Sequence, residues 1–184
     1  TDMTMGGANL SNINIGDIYE IEIIKGGSAG VLFGDGATGG AVNIITKNPN
    51  FVRDELNLKT SLKSFSSKSK SFSYTKKLNN FVIQSFVSEE DTQGYRENSK
   101  FKSDNFNFDL SFLKDPINRY FAKFSYSEQL TEIPGNITLT DFYTRPRYSR
   151  TPEDFGTEKV NSISIGSQNI LDTGTRFSNV FKFE

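Results

Sequence analysis

The 184-residue chain is 35% hydrophobic with a mean hydropathy of -0.48 and a formal net charge of -1, and it holds 17 Phe and 7 Tyr but no Cys, His or Trp. Without thiols or imidazoles, zinc sites, disulfide frameworks, cysteine nucleophiles and His-dependent triads are excluded within it, and the near-zero charge offers no basic stripe for nucleic acid. No stretch approaches the ~18 consecutive apolar residues of a membrane helix, which leaves open a β-barrel, whose strands carry only alternating hydrophobicity.

The first periodic segment is residues 18–25, where Ile21 and Ile23 share one face and Glu20, Glu22 and Ile24 the other, predicting a strand. Seven glycines then fall between Gly26 and Gly40. Among them Gly34, Gly36 and Gly39 match the GxGxxG spacing behind Val31, Leu32 and Phe33. That fingerprint needs a helix opening at its last glycine, so that the helix N-terminus can hold a pyrophosphate. Gly40 leads instead into Ala41, Val42, Asn43, Ile44, Ile45 and Thr46, and Asn48-Pro49 closes the run. This stretch, dominated by the β-branched Val42, Ile44, Ile45 and Thr46, predicts a strand, which removes the seat of a nucleotide. Gly26, Gly34, Gly36, Gly39 and Gly40 are better read as turn residues, since glycine alone takes positive φ without strain.

From about residue 54 onward the period is two. Leu56, Leu58, Thr60 and Leu62 oppose Asn57, Lys59, Ser61 and Lys63; Phe72 and Tyr74 oppose Ser71, Ser73 and Thr75. In residues 105–114, Phe106, Phe108, Leu110 and Phe112 share a face against Asn107, Asp109 and Ser111. After the turn Asp115-Pro116-Ile117-Asn118, Tyr120, Ala122, Phe124 and Tyr126 oppose Arg119, Phe121, Lys123 and Ser125. Looser repeats near 80–88, 159–168 and 175–183 bring the expectation to about seven strands, with lengths of ~9–11 residues for tilted spanning strands. Short breaks at 78–80, 115–118 and 171–175 alternate with long ones at 89–103 and 129–158, the phase of a membrane barrel; the short break at 65–70 is the exception. Tyr74, Tyr120, Tyr126 and Phe177 sit near predicted strand ends, where an interfacial girdle places aromatics. Periodicity alone does not separate this from a water-soluble meander or sandwich with one solvated face. The expected organisation is part of a small α+β module over 1–50, with the boundary at Asn48-Pro49-Asn50, followed by antiparallel β-barrel strands over 51–184.

The run "IYEIEIIKGGSAGVLFGDGATGGAVNIITK", residues 18–47, resembles the second half of the plug domain of TonB-dependent outer-membrane receptors, commonly "IERIEVIKGP" followed by "YGxGAxGGVINIITK". Glu22 stands at the acidic position, Lys25-Gly26 at the basic residue and glycine, Phe33-Gly34 at the aromatic-glycine pair, and Gly39-Gly40 before the closing strand. Gly27 replaces the usual proline and Tyr19-Glu20 the usual acid-arginine pair. "DTQGYREN", residues 91–98, is similar to the "DGYRxN" element after an early barrel strand, and "IPGNITLTDFYTRPRYSRTPEDF", residues 133–155, to "LPGxLTxxxFxxDPRxxxxPxDF" of part of the family, including ferric-citrate receptors.

The resemblance implies an outer-membrane transporter of about 22 strands whose lumen is plugged by the N-terminal domain. Within it this chain covers the second half of the plug and the first part of the barrel, a piece without the TonB box and the closing strands. An iron chelate, ferric siderophore, cobalamin or similar scarce solute binds between plug and outer loops, and TonB pulls on the plug to open a path. No bond in the solute changes, so the resemblance implies no catalytic residue, cofactor or resident metal; the partners are TonB, outer-membrane lipid and the chelate, with no nucleic acid. Glu20, Glu22 and Lys25 are candidates to pair with lumen charges such as Lys59, Lys63, Arg119 or Lys123, or are plain solvated charges. Tyr143, Arg145, Arg147, Tyr148 and Arg150 are candidates for ligand contact, since arginine's donor fork suits anionic chelates; nearby Glu153, Asp154 and Glu158 set against this a self-neutralised loop. The rival readings are a passive porin or adhesin barrel and, more remotely, a nucleotide-binding enzyme.

Overall fold

The computed structural model describes residues 18–26, 37, 39–46, 49–115, 117–170 and 176–183. They belong to two compact units, one within Ile13–Val52 and one within Arg53–Glu184. In the first, β1 (Ile18–Lys25) pairs antiparallel with β2 (Gly40–Thr46), from Lys25 opposite Gly40 to Ile18 opposite Thr46, with a register shift between Ile18 and Glu20. The segment that a cofactor motif would need as a helix is therefore a strand, as its β-branched residues dictate. Gly40 has φ +140 and stands where an added Cβ would lie 2.8 Å from the Ile24 carbonyl oxygen, so no other residue fits that start of β2. Pro49–Phe51 then form a single 3-10 turn.

The second unit is one seven-stranded antiparallel sheet in chain order: β3 (Glu55–Lys63), β4 (Ser67–Leu78), β5 (Phe81–Thr92), β6 (Phe101–Leu113), β7 (Arg119–Glu132), β8 (Phe155–Ile170) and β9 (Arg176–Phe183). The strand count agrees with the periodicity; the lengths do not. β4 to β8 run to 12–16 residues rather than the ~9–11 expected, because the charged ends of β5 and β7, which look like loop in sequence, keep their ladder hydrogen bonds.

The register decides what the faces are for. Phe81, Phe112 and Tyr120 stand side by side on β5, β6 and β7, with ring centroids 5.0 Å and 6.4 Å apart. Two rows on, Phe108, Phe124 and Ile163 align, and a row further Val87, Phe106 and Tyr126. This apolar face is open: Leu58 is 75% exposed, Ile165 54% and Phe181 67%. The opposite face is hidden and mostly polar, with Ser103 at 1%, Asn105 at 4% and Ser111 at 0%, alongside the buried Val82, Phe86, Leu113 and Phe121. A sheet that buries hydroxyls and displays phenylalanines is the inverse of a water-soluble sandwich and has the arrangement of a membrane barrel wall, apolar toward lipid and polar toward a lumen.

The apolar band spans four side-chain rows, about 20 Å along β6 at ~3.4 Å per residue. Beyond it the same face turns ionic: Lys70, Glu89, Asp104, Glu128 and Lys159 occupy one row across five strands. Lys70 pairs with Glu89 at 3.7 Å, Lys159 with Glu128 at 3.9 Å, and Lys102 of the next row with Asp104 at 3.1 Å. Tyr120 and Tyr126 mark the two edges of the band as a girdle requires. Tyr74 does not, since the register sets it beside Ser85 in the row of Phe108.

The polar face is held by its own hydrogen bonds. Ser127 Oγ donates to Asn105 Oδ1 at 2.8 Å, and Asn105 Nδ2 donates to Ser103 Oγ at 3.0 Å and Ser88 Oγ at 3.1 Å. Lys123 Nζ pairs with Asp109 at 2.8 Å. The Phe121 ring lies over Gly166 on the neighbouring strand, in the space that any side chain at 166 would need.

Candidate functional site

Because the sheet is a meander, alternate connections emerge at the same edge. The β4–β5, β6–β7 and β8–β9 connections fall at one edge, and residues 64–66, 93–100 and 133–154 join strands at the other. The first edge is tightly closed where described: Asn79 takes φ 51, and Asp115 Oδ1 accepts from the backbone N–H groups of Ile117 and Asn118, both at 2.9 Å. The Asn118 side-chain amide, donating to Asp115 Oδ2 at 2.8 Å, leads and those backbone bonds add to it in holding the Asp115 carboxyl below its usual pKa.

At the second edge the three connections form one linked rim. The 64–66 turn puts Phe65 and Ser66 at φ 59 and 55, and its Phe65 carbonyl accepts from Gln93 N at 3.1 Å. The Phe65 and Tyr95 rings meet edge to face with centroids 5.5 Å apart. Arg96 then reaches into the long connection, donating from Nη1 to Gly135 O at 2.6 Å, and from Nη2 to Tyr148 O at 2.8 Å and Pro134 O at 3.1 Å. Asn98 Nδ2 donates to the carbonyls of Thr151 at 2.6 Å, Asp154 at 2.9 Å and Ile133 at 3.2 Å. Glu97 N donates to Arg147 O at 2.7 Å, and Arg147 Nε to Tyr95 O at 3.0 Å.

Above this base stands a short helix, α1 (Leu139–Thr144), capped by Thr138, whose hydroxyl accepts from Asp141 N at 3.1 Å. Leu139, Phe142 and Tyr143 on it are exposed. Arg145 caps the other end: its Nε lies 2.6 Å from Asp141 Oδ1, and its guanidinium stacks 3.8 Å from the Tyr148 ring centroid. The Arg145 hydrogen bond, aided by Thr138, holds the Asp141 carboxyl below the usual carboxylate range, and Asp141 in turn raises the Arg145 pKa.

The structure places the five loop residues expected from the sequence together on the long connection. Tyr143 lies on α1 and is open, Arg145 and Tyr148 form the stack, Arg147 docks on Tyr95, and Arg150 is exposed, its backbone N–H bonded to Pro134 O at 3.0 Å. The acid that neutralises Arg145 is Asp141, rather than Glu153, Asp154 or Glu158. Arg96 and Asn98, the structural centre of the rim, were not among the expected residues.

On the first unit, Glu22 accepts from Asn43 Nδ2 at 2.9 Å across β1 and β2, Glu20 is exposed, and Lys25 ends β1 opposite Gly40. Gly26 takes φ +75, whereas an added Cβ at Gly39 meets nothing within 4 Å; Gly34 and Gly36 lie outside the described residues. On the polar face of the sheet, Lys123 is engaged by Asp109, and Arg119 and Lys123 lie 5.1 Å and 5.5 Å from the Phe121 ring centroid. Among the described residues no group of three or more Asp or Glu side chains is placed to hold a metal ion.

No protein-family model and no curated protein matches the sequence. Solved structures do match. The open form of the ferric-catecholate import receptor Fiu from E. coli K12 superposes on 90% of this chain with a TM-score of 0.76 at 16% identity. The ferripyoverdine receptor of the Pseudomonas aeruginosa outer membrane, bound to ferripyoverdine, also superposes on 90% of this chain, with a TM-score of 0.71 at 15% identity. The chain spans 28% and 23% of those two proteins. Its fold is that of a partial transmembrane β-barrel of seven described strands.

Proposed function

We propose that this chain is part of a TonB-dependent outer-membrane receptor, with residues 1–50 forming the second half of its plug and 51–184 its first barrel strands. The receptor imports a scarce, anionic metal chelate of the ferric-siderophore kind. The observation that carries the reading is the inverted sheet, apolar side out and serine side in, joined to a rim of linked loops that displays arginine and tyrosine together. Chelates of hard ferric iron carry anionic oxygen donors, and the guanidinium fork and phenol hydroxyl suit such oxygens. The glycine-rich module distinguishes the reading from a passive porin, which has no need of chain that folds tightly and rearranges. In the proposed cycle the chelate settles on the rim, TonB engages the TonB box that the family carries, and the pull reshapes the plug. The cargo passes along the hydroxyl-lined face, with no bond in it broken and no enzymatic step.

Uptake of labelled ferric tris-catecholate, ferric citrate and cobalamin by iron-starved cells, with and without the intact gene, tests this. Loss of one uptake on gene deletion, and its arrest by a protonophore in the parent, are expected. Gene-dependent uptake that continues after the proton gradient has collapsed would identify a passive barrel and overturn the proposal.

A further inference from the structure

We infer that Arg96 and Asn98 are positioning residues that turn the rim's long connection into a fixed base carrying a separately ordered apex. The inference rests on the reading of this rim as a ligand-binding surface. Residues 133–154 have two limbs, and each of these side chains ties both. Arg96 bonds Pro134 and Gly135 on the outgoing limb and Tyr148 on the returning one; Asn98 bonds Ile133 on the first and Thr151 and Asp154 on the second. Backbone bonds add to the lacing: Ile133 N donates to Asp154 O at 2.9 Å, and Glu132 N to Lys100 O at 2.8 Å.

The residue types follow from the task. A cluster of carbonyl oxygens needs a side chain with several donors in fixed directions and no acceptor of its own, which is the guanidinium fork; a lysine ammonium is a single point that does not span three carbonyls on two limbs. Asn98 has φ 50, a left-handed shape that asparagine tolerates better than most residues, so the turn that aims its amide also selects it. Gly94, at φ +70, lies where an added Cβ would collide with Ser99, and Ser99 Oγ donates back to Arg96 O. The 93–100 connection is thus a preformed bracket.

The apex differs. Among the described hydrogen bonds, those of residues 136–146 close within the loop itself, through Thr138, Asp141, Thr140 and Arg145, and none reaches the bracket; the apex meets the base only through Arg145, whose carbonyl accepts from Tyr148 N at 3.0 Å and whose guanidinium stacks on the Tyr148 ring. Arg147, Tyr148 and Arg150 therefore ride on the base, while Tyr143 rides on the apex. The division makes the first three a preorganised half-site, whose order before binding lowers the entropy lost on ligand capture. Tyr143 and α1 form the half that adapts.

The test uses the intact protein in lipid vesicles, with nitroxide labels on single cysteines introduced at Arg150 for the base, Tyr143 for the apex and Ile165 for the barrel wall. In the parent the label at 150 should be immobile and that at 143 mobile. Arg96→Lys and Asn98→Ala should each mobilise the label at 150 and leave that at 165 unchanged, and unlabelled Arg96→Lys should bind a ferric tris-catecholate probe about tenfold more weakly. An immobile label at 150 in both variants overturns the inference, as does simultaneous loosening at 165, which would mark a general structural role. Mobilisation at 150 with unchanged probe affinity overturns the positioning role. If the probe binds neither parent nor variants, the import reading fails for that ligand, and the label at 150 still judges the clamp.

Discussion

Replacing Asn105 by leucine tests the orientation of the sheet through the sign of its effect. Asn105 is buried and makes three side-chain hydrogen bonds, to Ser88, Ser103 and Ser127. Each neutral bond contributes about 1 kcal/mol net, and a hydroxyl left unsatisfied costs about 1–3 kcal/mol. In a dry core the leucine would recover about 1.5–3 kcal/mol by burial and nearly cancel the loss. Among the serines that surround it here the leucine finds no apolar partner, so the three bonds are lost without compensation and the expected destabilisation is about 3 kcal/mol. The companion change is Leu110→Ser, one step away from Ser111 on the opposite face. If that face meets lipid, losing the leucine costs about 2 kcal/mol; on a water-facing surface the change stays within about 0.5 kcal/mol of neutral. Urea unfolding of the intact protein in lipid vesicles reads both as midpoint shifts at constant slope. Destabilisation by both substitutions is expected. A neutral or stabilising Asn105→Leu together with a neutral Leu110→Ser would refute the assignment of the faces.

Three further outcomes are expected. Gly166→Ala should impair barrel assembly, because its methyl meets both the Phe121 ring and the Asn179 carbonyl, whereas Gly156→Ala, with nothing within 4 Å, should assemble normally; equal yields of heat-resistant folded barrel would refute this. Arg145, Arg147 and Arg150 neutralised together should lower affinity for an anionic ferric chelate by about tenfold or more at normal receptor abundance, and unchanged affinity would show that their charge is spent inside the loop. The Asp141 pKa is depressed in the folded loop, chiefly by Arg145, so this contact is fully present above the ordinary carboxylate pKa of ~3.9 and is lost only as pH falls through the lowered value. A label on α1 should therefore keep constant mobility between about pH 5 and about pH 8 and loosen only in stronger acid; loosening near neutrality would contradict the pairing.

The strands were legible because a period of two is a property of side chains. Phe106, Phe108, Leu110 and Phe112 alternate with Asn107, Asp109 and Ser111 whichever face is buried, and so the same pattern left the choice between lipid and water open. Burial of Ser103 and Ser111 beside exposed phenylalanines resolved it. Strand ends were less legible. Glu89, Glu90 and Asp91 read as loop, yet they pair with Asp104, Ser103 and Lys102, because ladder hydrogen bonds use backbone groups that every one of these residues has. The 64–66 turn was legible only as a loosely placed break at 65–70, since Phe65 and Ser66 adopt positive φ without the glycine or asparagine that normally announces it.

The site was legible in its charges and illegible in its scaffold, for one chemical reason. Arg145 and Tyr148 can be singled out in a sequence because they suit a ligand, and the partner of Arg145 at helical spacing, Asp141, was available to the same reasoning; the loop's acids nearer its end competed with it on proximity alone. Arg96 and Asn98 were visible only as letters in a segment resembling a family element, because their partners are the carbonyls of Pro134, Gly135, Tyr148, Ile133, Thr151 and Asp154. A main-chain oxygen has no identity in a sequence, so nothing in residues 133–154 marks which of their carbonyls converge. Exposed side chains on this rim can therefore vary without disturbing the clamp, whereas a change at Arg96 has no complementary substitution among its partners to rescue it. Exchange of residues 136–146 between related barrels should for this reason be tolerated with 93–100 left untouched, and grafting that apex onto a receptor lacking the Arg96 and Asn98 bracket should yield an assembled barrel that does not hold the chelate.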